Sequence, residues 1–244
     1  GIRDWSVTGV QTCALPISAD GAVWIGHVKK PGGIKLPATV AFPEAAELPE
    51  APLAGWWQAD HPTWQDIAWR EADGVGFLSF RFYNGAMGTA QCRRLTEAFG
   101  WATTRPVRVI VLDGGGDFWS NGIHLNLIEA ADSPADESWA NINAIDDLAE
   151  AILRCQTQLT VAAVGGNAGA GGCFLARACD QVWVRDGVVL NPHYKNMGNL
   201  YGSEFWTYLL PPRVGADGAR AIMQQRLPMP ASEEIGRASC RERV

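Results

Sequence analysis

At 244 residues, 47% of them hydrophobic, the chain can bury one sizeable α/β core and part of a neighbouring unit. Its 26 acids outnumber 20 bases for a net charge of -6, which argues against nucleic acid or an anionic membrane surface as a partner. No apolar run approaches the roughly 20 residues that span a bilayer.

Both ends read as translated cloning or sequencing DNA. Ala14-Leu15-Pro16-Ile17 can be encoded by GCT CTT CCG ATC. The reverse complement of that stretch, read one frame over, gives Ile235-Gly236-Arg237 and opens the codon for Ala238. Residues 1–18 and about 234–244 are therefore set apart from the fold as adapter sequence, with the natural termini expected outside this chain. Between them stand Cys92, Cys155, Cys173 and Cys179, with no C-x-x-C spacing. They read as free thiols, mostly buried, in a reducing cytoplasm.

Residues 19–42 alternate like short strands, with Trp24-Ile25-Gly26-His27-Val28 and Ile34-Lys35-Leu36-Pro37 separated by the turn Lys30-Pro31-Gly32-Gly33. Residues 43–65 are rich in proline, alanine and glutamate, which is linker composition. From 66 to 233 a larger unit follows. Gly74 to Phe82 alternates as a half-buried strand, and Thr89 to Phe99 predicts a helix. Ser133-Pro134-Ala135-Asp136 has the form of a capping box. The helix after it sets Trp139, Ile142, Ile145, Leu148 and Ile152 on one inward face. Val107 to Leu112, Thr160 to Val164 and Gln181 to Val184 read as strands, with a helix from about Gly171 to Ala178. Strands alternating with helices imply a largely parallel sheet covered by helices.

The first two of those three strands end in glycine-rich turns, Gly114 to Gly122 and Gly166 to Gly172. Such turns let backbone N–H groups approach a ligand carbonyl, and two converging donors can stabilise a thioester oxyanion. A dinucleotide-binding Gly-x-Gly-x-x-Gly would need glycine where Phe174 stands, so that reading is rejected. No cluster of His, Cys, Asp and Glu has metal-ligand spacing, and no metal is expected.

With these motifs in this order, the chain resembles the crotonase (enoyl-CoA hydratase/isomerase) superfamily from about Gly74 to Gly215. The resemblance implies the ClpP/crotonase-like α/β fold, a spiral of βαβ units, and acyl-CoA as ligand. Trp119-Ser120-Asn121-Gly122-Ile123-His124-Leu125 matches the family's first motif, and Gly169-Ala170-Gly171-Gly172-Cys173 its second. By that match Asn121 and Gly171 supply the two oxyanion N–H groups. Asn84, Ala86, Ser120, Asn121, Gly122 and Ile123 contact coenzyme A.

The family's hydratases use two glutamates. Here Phe174 stands at the first, and alignment of Gly198 and Gly202 with later family glycines puts Tyr194 at the second. Ordinary hydration is therefore unexpected. The segments 117–126, 136–143 and 193–198 resemble, more narrowly, the crotonase domain of nickel-iron hydrogenase maturation factors, where a formyltransferase-like region precedes it. Residues 19–42 then read as a small β remnant of that region's C-terminal domain.

This closer resemblance implies that a formyl group passes from 10-formyltetrahydrofolate to coenzyme A upstream, and that the crotonase domain releases CO from formyl-CoA for the hydrogenase iron. It implies a proton relay through Tyr194 and Glu204, and the hydrogenase maturation machinery as partner. The alternatives are another crotonase-type activity (hydratase, isomerase or thioesterase), with Glu204 the only nearby carboxylate, or a non-catalytic acyl-CoA-binding domain. His124, His193 and Lys195 lie beside the motifs and carry no assigned role.

Overall fold

The computed structural model describes residues 5–8, 14–18, 21–22, 25–47, 50–51, 55–57, 64–192, 194, 202–225, 227–231 and 242–243. The expected hairpin is formed by β1 (His27–Lys29) and β2 (Lys35–Pro37), antiparallel, while Trp24 lies outside the described residues. Ala38 and Ala45 pack beside it against Ile25 and Val28.

The larger unit opens with an antiparallel pair, β3 (Ile67–Ala72) and β4 (Val75–Phe80). The alternation read in the sequence is real: Gly76, Leu78 and Phe80 are buried and the residues between them only half so. Short strand β5 (Ala86–Met87) leads into helix α1 (Thr89–Ala102), which buries Cys92, Leu95, Ala98, Phe99 and Ala102 at helical spacing. Then come β6 (Val109–Asp113), β7 (Phe118–Ser120), β8 (Gly122–Ile123), α2 (Leu125–Ala130) and α3 (Pro134–Leu153). The next repeat is β9 (Leu159–Val164), β10 (Asn167–Gly169), α4 (Gly171–Arg177), β11 (Gln181–Val184) and β12 (Val189–Asn191). Helices α5 (Trp206–Leu209) and α6 (Pro211–Gln224) and strand β13 (Met229–Pro230) follow.

The order β11-β9-β6-β4-β3 makes the main sheet, parallel except at β3–β4. A second sheet runs β7-β10-β12-β13, with only the last pair antiparallel, and β5 pairs with β8 on its own. Successive repeats thus give one strand to the first sheet and the next to the second, which is the α/β spiral of the crotonase fold. The residues set apart at the ends also pair as backbone: Glu242–Arg243 on the edge of β11, and the segments 5–8 and 14–18 in a separate small sheet.

One expectation for α3 fails. Trp139 is 71% exposed, and the buried stripe runs through Asn141, Ala144, Ile145, Leu148, Ala149 and Ile152. The reason is cumulative rotation. At about 100° per residue, two successive steps of three carry Trp139 about 120° away from Ile145. At the helix start, Pro134 occupies the first turn as expected, but Ser133 Oγ donates to the Asp136 carboxylate at 2.6 Å instead of capping a backbone N–H.

Asn141, fully buried, ties this helix to the strands beneath it. Its Nδ2 donates to Met87 O at 2.9 Å and its Oδ1 accepts from His124 N–H at 3.2 Å, joining α3 to the ends of β5 and β8. Asn141→Leu keeps the volume and removes both bonds. It should cost about 1 kcal/mol in chemical denaturation, because Met87 O and His124 N–H lose their second partner while still bonding each other at 3.1 Å.

Candidate active site

The two glycine-rich turns meet backbone to backbone. A Cβ on Gly172 would overlap Ser120 O, and one on Gly122 would sit 3.0 Å from Gly171 N, so β8 and the start of α4 touch with no side chain between them. Gly122 also needs the left-handed φ of 73° that other residues rarely adopt. Just before α4, Ala170 has φ 45° and ψ -124°, a conformation that costs a residue with a Cβ about 1–3 kcal/mol. Its N–H donates to Asn191 O at 2.8 Å, which holds it there.

Asn121 behaves otherwise than the family match implies. Its backbone N–H donates to Gly85 O at 2.8 Å and its side-chain Nδ2 to Asn84 O at 2.7 Å. Both donors clasp the 84–85 turn, in which Asn84 and Gly85 have positive φ. Ser120 is fully buried, and its Oγ accepts from Gly122 N–H at 3.1 Å and faces Met87 Sδ. Its side chain therefore turns away from a ligand. Ala86 and Ile123, half-buried, lie on the paired strands β5 and β8.

Beside α4 the structure brings Tyr194 and Glu204 together. Tyr194 is 7% exposed and Glu204 2%, and the phenol donates to Glu204 Oε2 at 2.5 Å. The other oxygen, Oε1, lies where a Cβ on Gly171 would be, directly over the N-terminus of α4. Phe174, where the hydratases have their first glutamate, stacks on Tyr194 with ring centroids 6.1 Å apart. Ala170, Leu209, Leu210, Ile222 and Met229 complete an apolar wall.

Burial disfavours the ionised forms, and Glu204 is pushed up from 4.5 to about 7. The hydrogen bond from Tyr194 works the other way, and the nearby Asp146 carboxyl adds to the rise. Tyr194 is raised well above 10, by burial first and then by the adjacent Glu204.

Sequence reasoning missed Asp146. From the middle of α3 its Oδ1 accepts the Glu204 backbone N–H at 2.7 Å, and burial raises its carboxyl above 3.8. Its one signal in the chain is an acid beside Ile145, at the margin of the buried stripe. His124 is a structural cap: Nδ1 accepts from Leu127 N–H at 3.2 Å, and burial holds the ring below its ordinary 6.5. It also lies in a column in which His27 stacks on Tyr83 at 4.2 Å and faces His124 at 5.8 Å. His193 and Lys195 lie outside the described residues.

The enoyl-CoA hydratase/isomerase family pattern matches residues 83–236. This chain belongs to that family. Over 219 residues it is 57% identical to the hydrogenase maturation factor HoxX of Bradyrhizobium diazoefficiens, covering 88% of this chain and 37% of HoxX. It superposes on the crystal structure of HypX from Aquifex aeolicus in complex with tetrahydrofolic acid with TM-score 0.89 and 50% identity, covering 97% of this chain and 42% of HypX. The chain thus spans about two-fifths of the length of these maturation factors. An enoyl-CoA hydratase from Thermoplasma volcanium GSS1 aligns with TM-score 0.65 at 20% identity over 73% of this chain and 71% of that one, a likeness of fold alone.

Two outcomes follow from this packing. Gly171→Ala puts a methyl group into the space of the Glu204 carboxyl and should expel it, returning its titration towards 4.5, as read by carbon-13 NMR of labelled glutamate. Because Glu204 is raised in the fold, its contribution to stability is present at acid pH and is lost as pH climbs from 4.5 through about 7. Glu204→Gln should flatten that decline and gain about 2–3 kcal/mol on the alkaline side, as read by denaturation at a series of pH values.

Proposed function

We propose that this chain is the acyl-CoA half of a hydrogenase maturation factor, and that it takes formyl-CoA and releases carbon monoxide. The observation that carries this reading is the buried Tyr194–Glu204 pair at the N-terminus of α4. The 57% identity to HoxX and the folate-bound HypX neighbour support the wider setting. In that setting an upstream formyltransferase-like unit, whose last piece is the hairpin within residues 19–42, moves the formyl group from 10-formyltetrahydrofolate to coenzyme A. Residues 43–65 link it to a crotonase domain over 66–233. The CO goes to the iron of a nickel-iron hydrogenase through the maturation machinery, and the setting is the cytoplasm.

Formyl-CoA has no α-carbon, so the enolate chemistry of the family is closed to it, while its carbonyl oxygen can still be polarised. Gly171 N–H, at the positive end of α4, is one donor. Asn121 N–H is committed to Gly85 O, so the second donor is reassigned to the next peptide beyond Gly122, Ile123 N–H. A Cβ on Gly122 would sit 3.0 Å from Gly171 N, so the peptide that follows Gly122 runs close to the first donor. The Asn84–Ala86 turn and the backbone of 120–123 hold the coenzyme A arm.

The steps balance as HCO–S–CoA giving CO and HS–CoA. Glu204 Oε1, as carboxylate, takes the formyl proton. The C–S bond breaks with its electron pair leaving on sulfur, and the remaining fragment departs as CO. Tyr194 gives its phenolic proton to the thiolate and recovers one from Glu204 along their hydrogen bond. A carboxyl near 7 is well matched to accept and return a proton at neutral pH.

Formyl-CoA incubated with this chain should yield CO, trapped by a haem reporter, in equal amount to free thiol. Tyr194→Phe and Glu204→Gln should each slow release at least about 100-fold. Formate in place of CO would make the protein a thioesterase, and bound but stable formyl-CoA would make it a binding domain.

A further inference from the structure

We infer that Asp146 is a positioning residue, whose carboxylate oxygen holds the backbone of Glu204 in the strained conformation that aims its side chain at Gly171 and Tyr194. The inference rests on the role given above to Glu204 only for its consequence in turnover.

Glu204 and Phe205 both have positive φ, 49° and 58°, and Gly202 before them has 80°. Two adjacent left-handed residues that carry side chains are unfavourable by themselves, and such a turn persists only where its surroundings hold it. The holding bond is the one from Glu204 N–H to Asp146 Oδ1, at 2.7 Å and 58 residues away along the chain. Ser203 hydrogen-bonds to the same carboxyl. α3 is seated through Ile145, Leu148 and Ile152, all 0–1% exposed, so Asp146 is a fixed point against which the turn is set.

The same contact acts electrostatically. The groups facing Glu204 are Tyr194, Asp146 from α3 and Cys92 from α1, with Cys173 of α4 acting on Tyr194 and Asp147 acting on Asp146. Asp146 is the carboxyl among those directly facing Glu204, and it opposes ionisation of Glu204 while gripping its backbone. The two acids therefore divide the work: one anchors and repels, the other carries the proton. The fold reaches a paired-carboxyl arrangement without a glutamate at position 174.

The test separates grip from charge. Asp146→Asn keeps an acceptor oxygen for Glu204 N–H and removes the negative charge, whereas Asp146→Ala removes both. In the full 244-residue chain, titration of Glu204 by carbon-13 NMR should show a midpoint lowered by about one unit in Asp146→Asn. The acid limb of CO release should move down with it, the maximal rate staying within about threefold. Asp146→Ala should lose more than about tenfold in rate, with Glu204 titrating near 4.5 as its carboxyl leaves the pocket.

An unmoved midpoint in Asp146→Ala, or equal loss of rate in the two variants, would overturn the inference. Should Asp146→Ala not fold, Asp146→Ser, whose side chain is too short to accept from Glu204 N–H, takes its place in the comparison. The titration needs no substrate, so a Glu204 midpoint that falls towards 4.5 in Asp146→Ala, in a chain that releases no CO, would uphold the positioning role and discard the decarbonylation reading.

Discussion

Two stretches of backbone cross at Gly122 and Gly171-Gly172 with no side chain between them, and the arrangement around the buried acid pair hangs on that crossing. It brings β8 against α4 of the next repeat. It also leaves Gly171 bare on its other side, where Glu204 fits its carboxyl. A methyl group on Gly172 would push apart elements that belong to different repeats, and one on Gly171 would displace the Glu204 carboxyl. The strained Ala170 immediately before them is a cost accepted for keeping the helix start in that place.

What fills the space around the crossing sets its chemistry. A hydratase places a carboxylate on α4 itself. Phe174 occupies that position here and turns its ring on Tyr194, so the wall over the helix is aromatic and buried. In such surroundings a lone carboxylate is strongly disfavoured, and a phenol that donates to it lessens the penalty. The acid arrives instead from a later loop, reached through Asp146 on the opposite helix. Fold and chemistry are thus separable: the spiral supplies the helix N-terminus, and the loops choose what faces it.

The main strands were legible because they are buried on both faces. Val109–Asp113 and Leu159–Val164 are continuous β-branched and aliphatic runs, ended by glycine. Tyr194 and Glu204 could be picked out together only through the family resemblance, since nothing local says that residues ten apart share a hydrogen bond. The direction of an amide is less legible still. The family match singles out Asn121 in its turn, but its N–H is captured by Gly85 O, 36 residues earlier, and no pattern within the turn announces that partner. Trp139 shows the opposite failure, a local pattern read too literally, because steps of three drift off the face of a helix. Asp146 was hidden by its type: an acid in an amphipathic helix is ordinarily solvated, and only the packing of a distant loop makes it otherwise.

The hairpin ahead of the spiral is seated on the same ground as the site. Lys35 donates to the Tyr83 hydroxyl at 2.6 Å, Asn126 Nδ2 donates to Lys35 O at 2.7 Å, and His27 stacks on the Tyr83 ring next to the Asn84–Ala86 turn. A unit fused ahead of that hairpin would not need to find the acyl-CoA site by diffusion. In the proposed setting its product would be released at roughly millimolar effective concentration beside the Asn84–Ala86 turn, with little chance to escape into bulk water before it was used.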